Sequence, residues 1–144
     1  MTQNEKDLLL KDLCARLPYG VKVQVDLQSD TYPPIVCKVC SVECAEIGSA
    51  FIGVETSPDT YNEFREFLCK PYLFPLSRMT EEQKEELDKY FDMDTKSLLD
   101  GYKNGLRCPH TYFIVQDWYN KNHFDYRGLI PMGLANDATG LNIY

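Results

Sequence analysis

The chain has no run of apolar residues that approaches the roughly 18 needed for a membrane-spanning helix. It also has no G-x-S-x-G elbow, no glycine-rich phosphate loop and no H-E-x-x-H pair, so the enzyme classes that carry these motifs are not supported. Its opening, MTQNEKDLLLKDL, lacks the basic head and the small-residue cleavage site of a secretory signal. These absences predict a cytoplasmic protein without a membrane segment, and they favour a binding protein over an enzyme.

Basic residues are scarce, with 15 Lys and Arg against 22 Asp and Glu in 144 residues, for a net charge of -7. Without a basic stripe the chain is a poor candidate for direct nucleic-acid binding through phosphates. The acids concentrate in residues 81–100, where Glu82, Glu85 and Glu86 are the central group. This segment is ordinarily a solvated helix face. The sharper interpretation is a partner surface that mimics nucleic acid or binds a basic host protein.

Six cysteines are present, but only Cys37 and Cys40 have the C-x-x-C spacing, and no second such pair or paired histidine completes a four-ligand set. The surrounding sequence, IVCKVCSVEC, is typical of a strand, in which positions three apart point to opposite faces. A zinc knuckle instead needs a turn between its thiolates. We therefore expect reduced, buried, structural cysteines and no metal site.

The pattern of apolar residues predicts a single α+β domain over residues 1–144, with a small antiparallel sheet, open or curled into a small barrel. Thr2 and Glu5 form a capping box before a helix from about Gln3 to Arg16. Three strands should follow as a meander: an alternating one from Val21 to Leu27, a central one from about Ile35 to Glu43 that is apolar on both faces, and AFIGVET.

The second half of the chain is less regular. Tyr61, Phe64 and Leu68 fit a short helix, although an edge strand is nearly as good a fit. Residues 70–77 contain Pro71 and Pro75, which predicts an extended crossing segment outside the central sheet.

Two C-terminal helices should pack against the sheet. A capping box of Thr80 and Gln83 should start the first helix, from about 81 to 91, with Leu87, Tyr90 and Phe91 on its inner edge. A loop over 101–109 and a last helix from Tyr112 to about Asn122 complete the prediction.

Three sequence blocks, DLCARLPYGVKV, KPYLFPLSRMTEEQKEEL and DWYNKNHFDYRGLIPMGLA, resemble a family of small uncharacterised proteins encoded by gut Bacteroidetes, their prophages and related phages. The resemblance covers the first 25 residues and nearly everything from Lys70 onward, whereas Gln28 to Cys69 departs from it. It implies no activity for any residue. It does imply a mobile-element accessory protein, for which counter-defence or host takeover are reasonable roles.

The C-terminal third holds the only tryptophan, both histidines and a cluster of tyrosines. The ordinary interpretation is that Trp118 and Ile114 pack into the core, while Asp125 pairs with Arg127 to fix a turn. The functional interpretation is a binding surface, formed by Tyr119, His123, Tyr126 and Arg127. A catalytic site is disfavoured, because His123 and Asp125 lie two positions apart and no nucleophile motif accompanies them.

We therefore expect a non-catalytic accessory protein of a phage or mobile element that binds a host protein in the bacterial cytoplasm. Its expected role is counter-defence. If the acidic helix is the contact, the host protein should have a basic surface. One alternative is a sponge that sequesters a small nucleotide immune signal between aromatic rings and Arg127. Another is an enzyme whose site is assembled from distant residues. No cofactor is expected, and the sequence indicates no oligomeric state.

Overall fold

The computed structural model describes the backbone of residues 1–45, 49–90 and 110–144. These ranges form an N-terminal helix, a six-stranded sheet, and two further helices followed by a turn-rich tail. The fold is therefore α+β, as the sequence predicts. The expected loop over 101–109 and the inner-edge position of Phe91 lie outside the described residues.

The first helix, α1, spans Gln3–Arg16, the bounds that its sequence predicts. Its capping box is present: the Glu5 amide donates to the Thr2 hydroxyl at 3.3 Å, and the Thr2 amide donates to the Glu5 carboxylate at 2.6 Å. A 3₁₀ turn, Leu17–Tyr19, follows the helix. Gly20 then takes a φ of 67°, a left-handed conformation that glycine adopts without steric cost.

An antiparallel meander of four strands forms most of the sheet. Its strands are β1 (Lys22–Val25), β2 (Ile35–Ala45), β3 (Ser49–Ser57) and β4 (Thr60–Arg65). The first three confirm the predicted meander. The β2–β3 register shifts between Val39 and Ser41. Beside this bulge, a Cβ on Gly53 would lie 2.3 Å from the Ser41 hydroxyl oxygen, so the close approach requires glycine.

The second strand is internal to the sheet, as predicted, but it is not buried on both faces. Cys37 and Val39 point into the core, whereas Val36 is 52% exposed and Lys38 is also exposed. The outward side chains of β2 therefore face solvent. The apolar composition of this strand predicted more burial than the structure has.

The prediction of a short helix through Tyr61 and Phe64 is wrong, and the alternative, an edge strand, is what forms as β4. Tyr61 is 64% exposed, whereas Phe64 packs against the core. In a strand, positions three apart point to opposite faces, which explains how one of these two rings is buried and the other is not.

The segment around Pro71 is extended, as predicted, but it belongs to the sheet. Strand β5 (Cys69–Leu73) pairs antiparallel with β1 and places Pro71 opposite Val23. The short strand β6 (Asn136–Asp137) pairs parallel with β5 beyond the proline, at residues 72 and 73. On that side Pro71 therefore has no described strand partner, which fits its missing amide hydrogen.

The strand order is β4-β3-β2-β1-β5-β6. Among the described residues β4 and β6 do not pair with each other, so the sheet is open and the barrel alternative is wrong. Buried Leu9 and Leu13 of α1 cover one face of the sheet, against Val23, Val39 and Ile52.

Residues 81–90 form helix α2, and its predicted capping box is present, with the Thr80 amide 2.9 Å from the Gln83 side-chain oxygen. Helix α3 spans His110–Lys121, so it begins two residues before the predicted start. Leu87, Val115, Trp118 and Phe124 form a buried cluster that joins the two helices. No described helix is long and apolar enough to cross a membrane.

Candidate functional site

A buried ionic cluster lies where α1 meets the C-terminal tail. Asp12 and Arg16 are one turn apart on α1 and both are fully buried. The Arg16 guanidinium donates to both carboxylate oxygens of Asp12, from Nε at 2.7 Å and from Nη2 at 3.0 Å. Arg127 adds a third bond, with its Nη1 2.8 Å from Asp12 Oδ1. One carboxylate thus serves two guanidinium groups away from water.

Arg16 also binds the chain around the end of α3. Its Nη2 donates to the backbone oxygen of Phe124 at 2.7 Å, and its Nη1 donates to that of Tyr119 at 3.3 Å. A buried charge is tolerated when its donors are satisfied, and this geometry satisfies the guanidinium. The α1 helix is thereby fixed against the segment that carries the predicted binding residues.

Three of the four predicted binding residues come together beside this cluster. The rings of Tyr119 and Tyr126 stack with centroids 5.2 Å apart, and the Arg127 guanidinium lies 4.5 Å from the Tyr126 centroid on its way to Asp12. All three residues are half-buried. Burial raises the pKa of the Tyr126 hydroxyl, although the Arg127 charge opposes this effect. The stacking and anion-pairing groups are therefore already in contact with one another.

His123, the fourth predicted binding residue, does not join that stack and is only 7% exposed. Its ring lies against Tyr144, with centroids 3.9 Å apart and planes 11° apart. Its backbone has a φ of 56°, and its carbonyl accepts from the Phe74 amide at 2.9 Å. Burial lowers the pKa of His123 to about 4, so the imidazole is neutral at neutral pH.

The expected Asp125–Arg127 pair does not form. The two carboxylate oxygens of Asp125 accept from the amides of Leu129 and Ile130, each at 2.8 Å, while Arg127 binds Asp12 instead. Asp125 thus fixes the turn alone. Nδ1 of His123 has no partner among the described residues, and no hydrogen bond joins Asp125 to the imidazole, so these two residues do not form a catalytic dyad.

The predicted partner surface lies on the outer side of α2. Glu82, Glu85 and Glu86 are all exposed, whereas Leu87 is buried. Lys84 forms an ion pair with Glu81 at 2.6 Å, and in the described part of the chain none of these three carboxylates has a salt bridge. A hydrogen bond from its own backbone amide, then one from Thr80, lowers the pKa of Glu82.

The cysteines are only partly as expected. Cys37 is buried and Cys40 is exposed, which confirms that this C-x-x-C pair points to opposite faces of a strand. The expectation that the cysteines are buried is wrong for Cys14, Cys40 and Cys44. For Cys40 the reason is that it shares the uncovered face of β2. Within the ranges that the structure describes, no group of three or more His, Cys, Asp or Glu residues could hold a metal ion.

Comparison with known proteins assigns no family to this arrangement. No protein-family model matches the chain, and neither a curated protein nor a solved structure matches it significantly. Function must therefore be argued from the geometry.

Sequence reasoning missed Asp12, Arg16 and Tyr144. A signal for the first two exists, since Leu9, Asp12, Leu13 and Arg16 follow the spacing of one helix face. A carboxylate and a guanidinium in an apolar stripe indicate a buried pair. Tyr144 has no local signal, because its partners lie elsewhere in the chain.

Proposed function

We propose that the protein is a non-catalytic accessory protein of a phage or mobile element, which binds a host protein of basic surface through the outer face of α2. Its place of action is the bacterial cytoplasm, and its role is counter-defence. The mobile-element setting rests on the resemblance of the three sequence blocks. The partner class rests on the surface of α2.

The observation that carries the proposal is the combination of exposure and charge on α2. Residues 81–90 contain five acidic and two basic side chains. Glu82, Glu85 and Glu86 are exposed on a helix whose other side is fixed by buried Leu87. Like charges on one face attract a surface of opposite charge and accelerate its encounter. A basic protein patch is therefore the partner that this face fits.

The charged groups of the aromatic cluster are engaged inside the molecule, so this cluster is not the proposed partner surface. Arg127 and Tyr126 hold α1 to the tail, and Asp125 holds a turn. The alternative of a nucleotide held between these rings and Arg127 is less favoured, because Arg127 is already bound to Asp12.

The test is affinity capture from bacterial lysate, with identification of the bound protein by mass spectrometry and measurement of its affinity. The variant carries Glu82→Lys, Glu85→Lys and Glu86→Lys. The control carries Asp30→Lys, Glu43→Lys and Glu63→Lys, which alters the net charge equally at other exposed positions.

We expect one host protein to bind wild type and the control, to be lost with the α2 variant, and to bind less tightly as salt increases. Equal loss in both variants would show that net charge alone matters. Retention by the α2 variant would place the partner surface elsewhere. Either result would overturn the proposal.

A further inference from the structure

A cavity of about 480 Å³ lies between the start of α2 and the end of α3. Small-molecule sites usually measure roughly 300 to 1,000 Å³, so this one has room for a ligand of nucleotide size. It is separate from the outer face of α2, since neither Glu82 nor Glu85 lines it. The inference therefore goes beyond the proposed protein partner and does not depend on it.

The charge of the cavity wall is opposite to that of the chain. Arg78 and Lys121 line it, and no carboxylate side chain does, although acids outnumber bases 22 to 15 in the whole chain. Both cations are exposed, and neither forms a salt bridge with a described residue. Hydrogen bonds from Thr139 lower the pKa of Asp137, and the charge of Arg78 adds a small effect, but Asp137 does not line the cavity. An arginine and a lysine at one opening suit a phosphate group.

Aromatic rings form another part of the wall. Phe74 lies 6.4 Å from Phe124 and 6.0 Å from Tyr144 between ring centroids, with interplanar angles of 59° and 56°. These tilted rings line the same cavity as the two cations. Every nucleobase has a π face that stacks on aromatic side chains, so such a wall suits a heterocyclic ring.

His123 supplies an unsatisfied polar atom in the wall. The residue lines the cavity, and its buried Nδ1 has no hydrogen-bond partner among the described residues. A buried polar nitrogen without a hydrogen-bond partner is destabilising. A ligand hydroxyl, which can both donate and accept, would supply that partner whichever ring nitrogen carries the proton.

The geometry points to a binding site for a nucleoside monophosphate in this cavity. Its phosphate lies at Arg78 and Lys121, and its base lies against the wall of Phe74 and Tyr144. A ribose hydroxyl pairs with Nδ1 of His123. All three recognition elements belong to one molecule, and neither phosphate alone nor a nucleoside alone uses all of them.

The experiment is isothermal titration calorimetry of the full chain at low ionic strength. The ligands are AMP, GMP, CMP and UMP, with inorganic phosphate and the four nucleosides titrated separately. The test variant carries Arg78→Gln and Lys121→Gln. The control is Lys89→Gln, an exposed lysine of α2 that does not line the cavity. Melting temperatures show whether each variant is folded.

We expect saturable binding of at least one nucleotide, at least about tenfold tighter than that of its nucleoside or of phosphate. The double variant should lose tenfold or more in affinity at an unchanged melting temperature, while Lys89→Gln binds as wild type does. No binding of any nucleotide, equal binding of phosphate, or full affinity in the double variant would each overturn the inference.

Discussion

Asp12 and Arg127 are joined by a hydrogen-bonded ion pair of 2.8 Å across 115 positions of the sequence. Asp12 also holds Arg16, so that a single carboxylate connects the first helix with the last segment of the chain. The guanidinium of Arg127, one of the predicted binding residues, therefore makes a structural contact with α1. Function must be sought on the surfaces that this cluster positions.

The first prediction concerns the hierarchy within the ionic cluster. Asp12→Ala should cost about 3 to 5 kcal/mol, because it leaves Arg16 buried without its counter-ion. Arg127→Ala should cost about 1.5 to 3 kcal/mol, because it removes one charge-assisted bond while Asp12 keeps Arg16. Urea unfolding of both variants measures the difference. Equal costs for the two substitutions would contradict this order.

The second prediction concerns Trp118, which is only 4% exposed and stacks on Phe124 with centroids 5.7 Å apart. Trp118→Ala should cost about 3 to 5 kcal/mol, since a large ring leaves a cavity that the surroundings fill only partly. Tyr112→Ala, on the same helix at a position that is 65% exposed, is the control and should change stability little. A loss for Trp118→Ala as small as that expected for Tyr112→Ala would place Trp118 outside the core.

The third prediction is a pH dependence that originates from His123. Its pKa is about 4 in the folded protein and 6.5 as a free side chain. The unfolded chain therefore binds the proton more readily. The stability contributed by neutral His123 is complete above pH 6.5 and is lost as the pH falls towards 4, by at most about 3 kcal/mol.

The His123→Asn variant isolates this effect, because asparagine tolerates the left-handed backbone at this position. The difference between the urea midpoints at pH 7 and pH 5 should be smaller in the variant than in wild type. Carboxylates with lowered pKa values, such as Glu66, contribute equally to both proteins. Parallel midpoint shifts in wild type and variant would rule out His123 as the source.

The fourth prediction concerns thiol reactivity, measured in a Cys108→Ser background so that only described cysteines report. Cys40 and Cys44 should react with a disulfide reagent in the native protein faster than Cys14, because burial raises the pKa of Cys14. Cys37 and Cys69 should react only on unfolding, since burial raises the pKa of Cys69 to about 12. Native reaction of all five at one rate would contradict the described burial.

Thiol counting of the unmodified chain under denaturing conditions should find six reduced cysteines, and elemental analysis of the native protein should find no bound metal. Stoichiometric zinc or iron would show that thiolates meet in a way that their strand placement does not predict.

The local elements were predictable because their signals are local. The capping boxes at Thr2 and Thr80 fix where two helices begin, and the alternation of valines from Val21 identifies β1. The pattern at Tyr61 and Phe64 misled because a three-residue spacing fits both one face of a helix and two faces of a strand. Burial, which only tertiary structure supplies, decides between them.

The candidate site was predictable in composition but not in arrangement. The stacking of Tyr119, Tyr126 and Arg127 fits the chemistry that their residue types indicate. The partner of Arg127 could not be inferred from its neighbours, because the nearby Asp125 is occupied by backbone amides and the true partner lies on α1. Charged side chains are usually exposed, so the burial of Asp12 and Arg16 runs against the ordinary expectation.

The bonds from Arg16 to the backbone oxygens of Tyr119 and Phe124 also set an order of events during synthesis. When α1 and the meander have left the ribosome, the carbonyl groups that receive this guanidinium have not yet been made. Arg16 can hold Asp12 at that stage, but the pair cannot be fully enclosed. The Arg16 end of α1 is therefore enclosed only after the tail has emerged, whereas Leu9 and Leu13 can already pack against the meander.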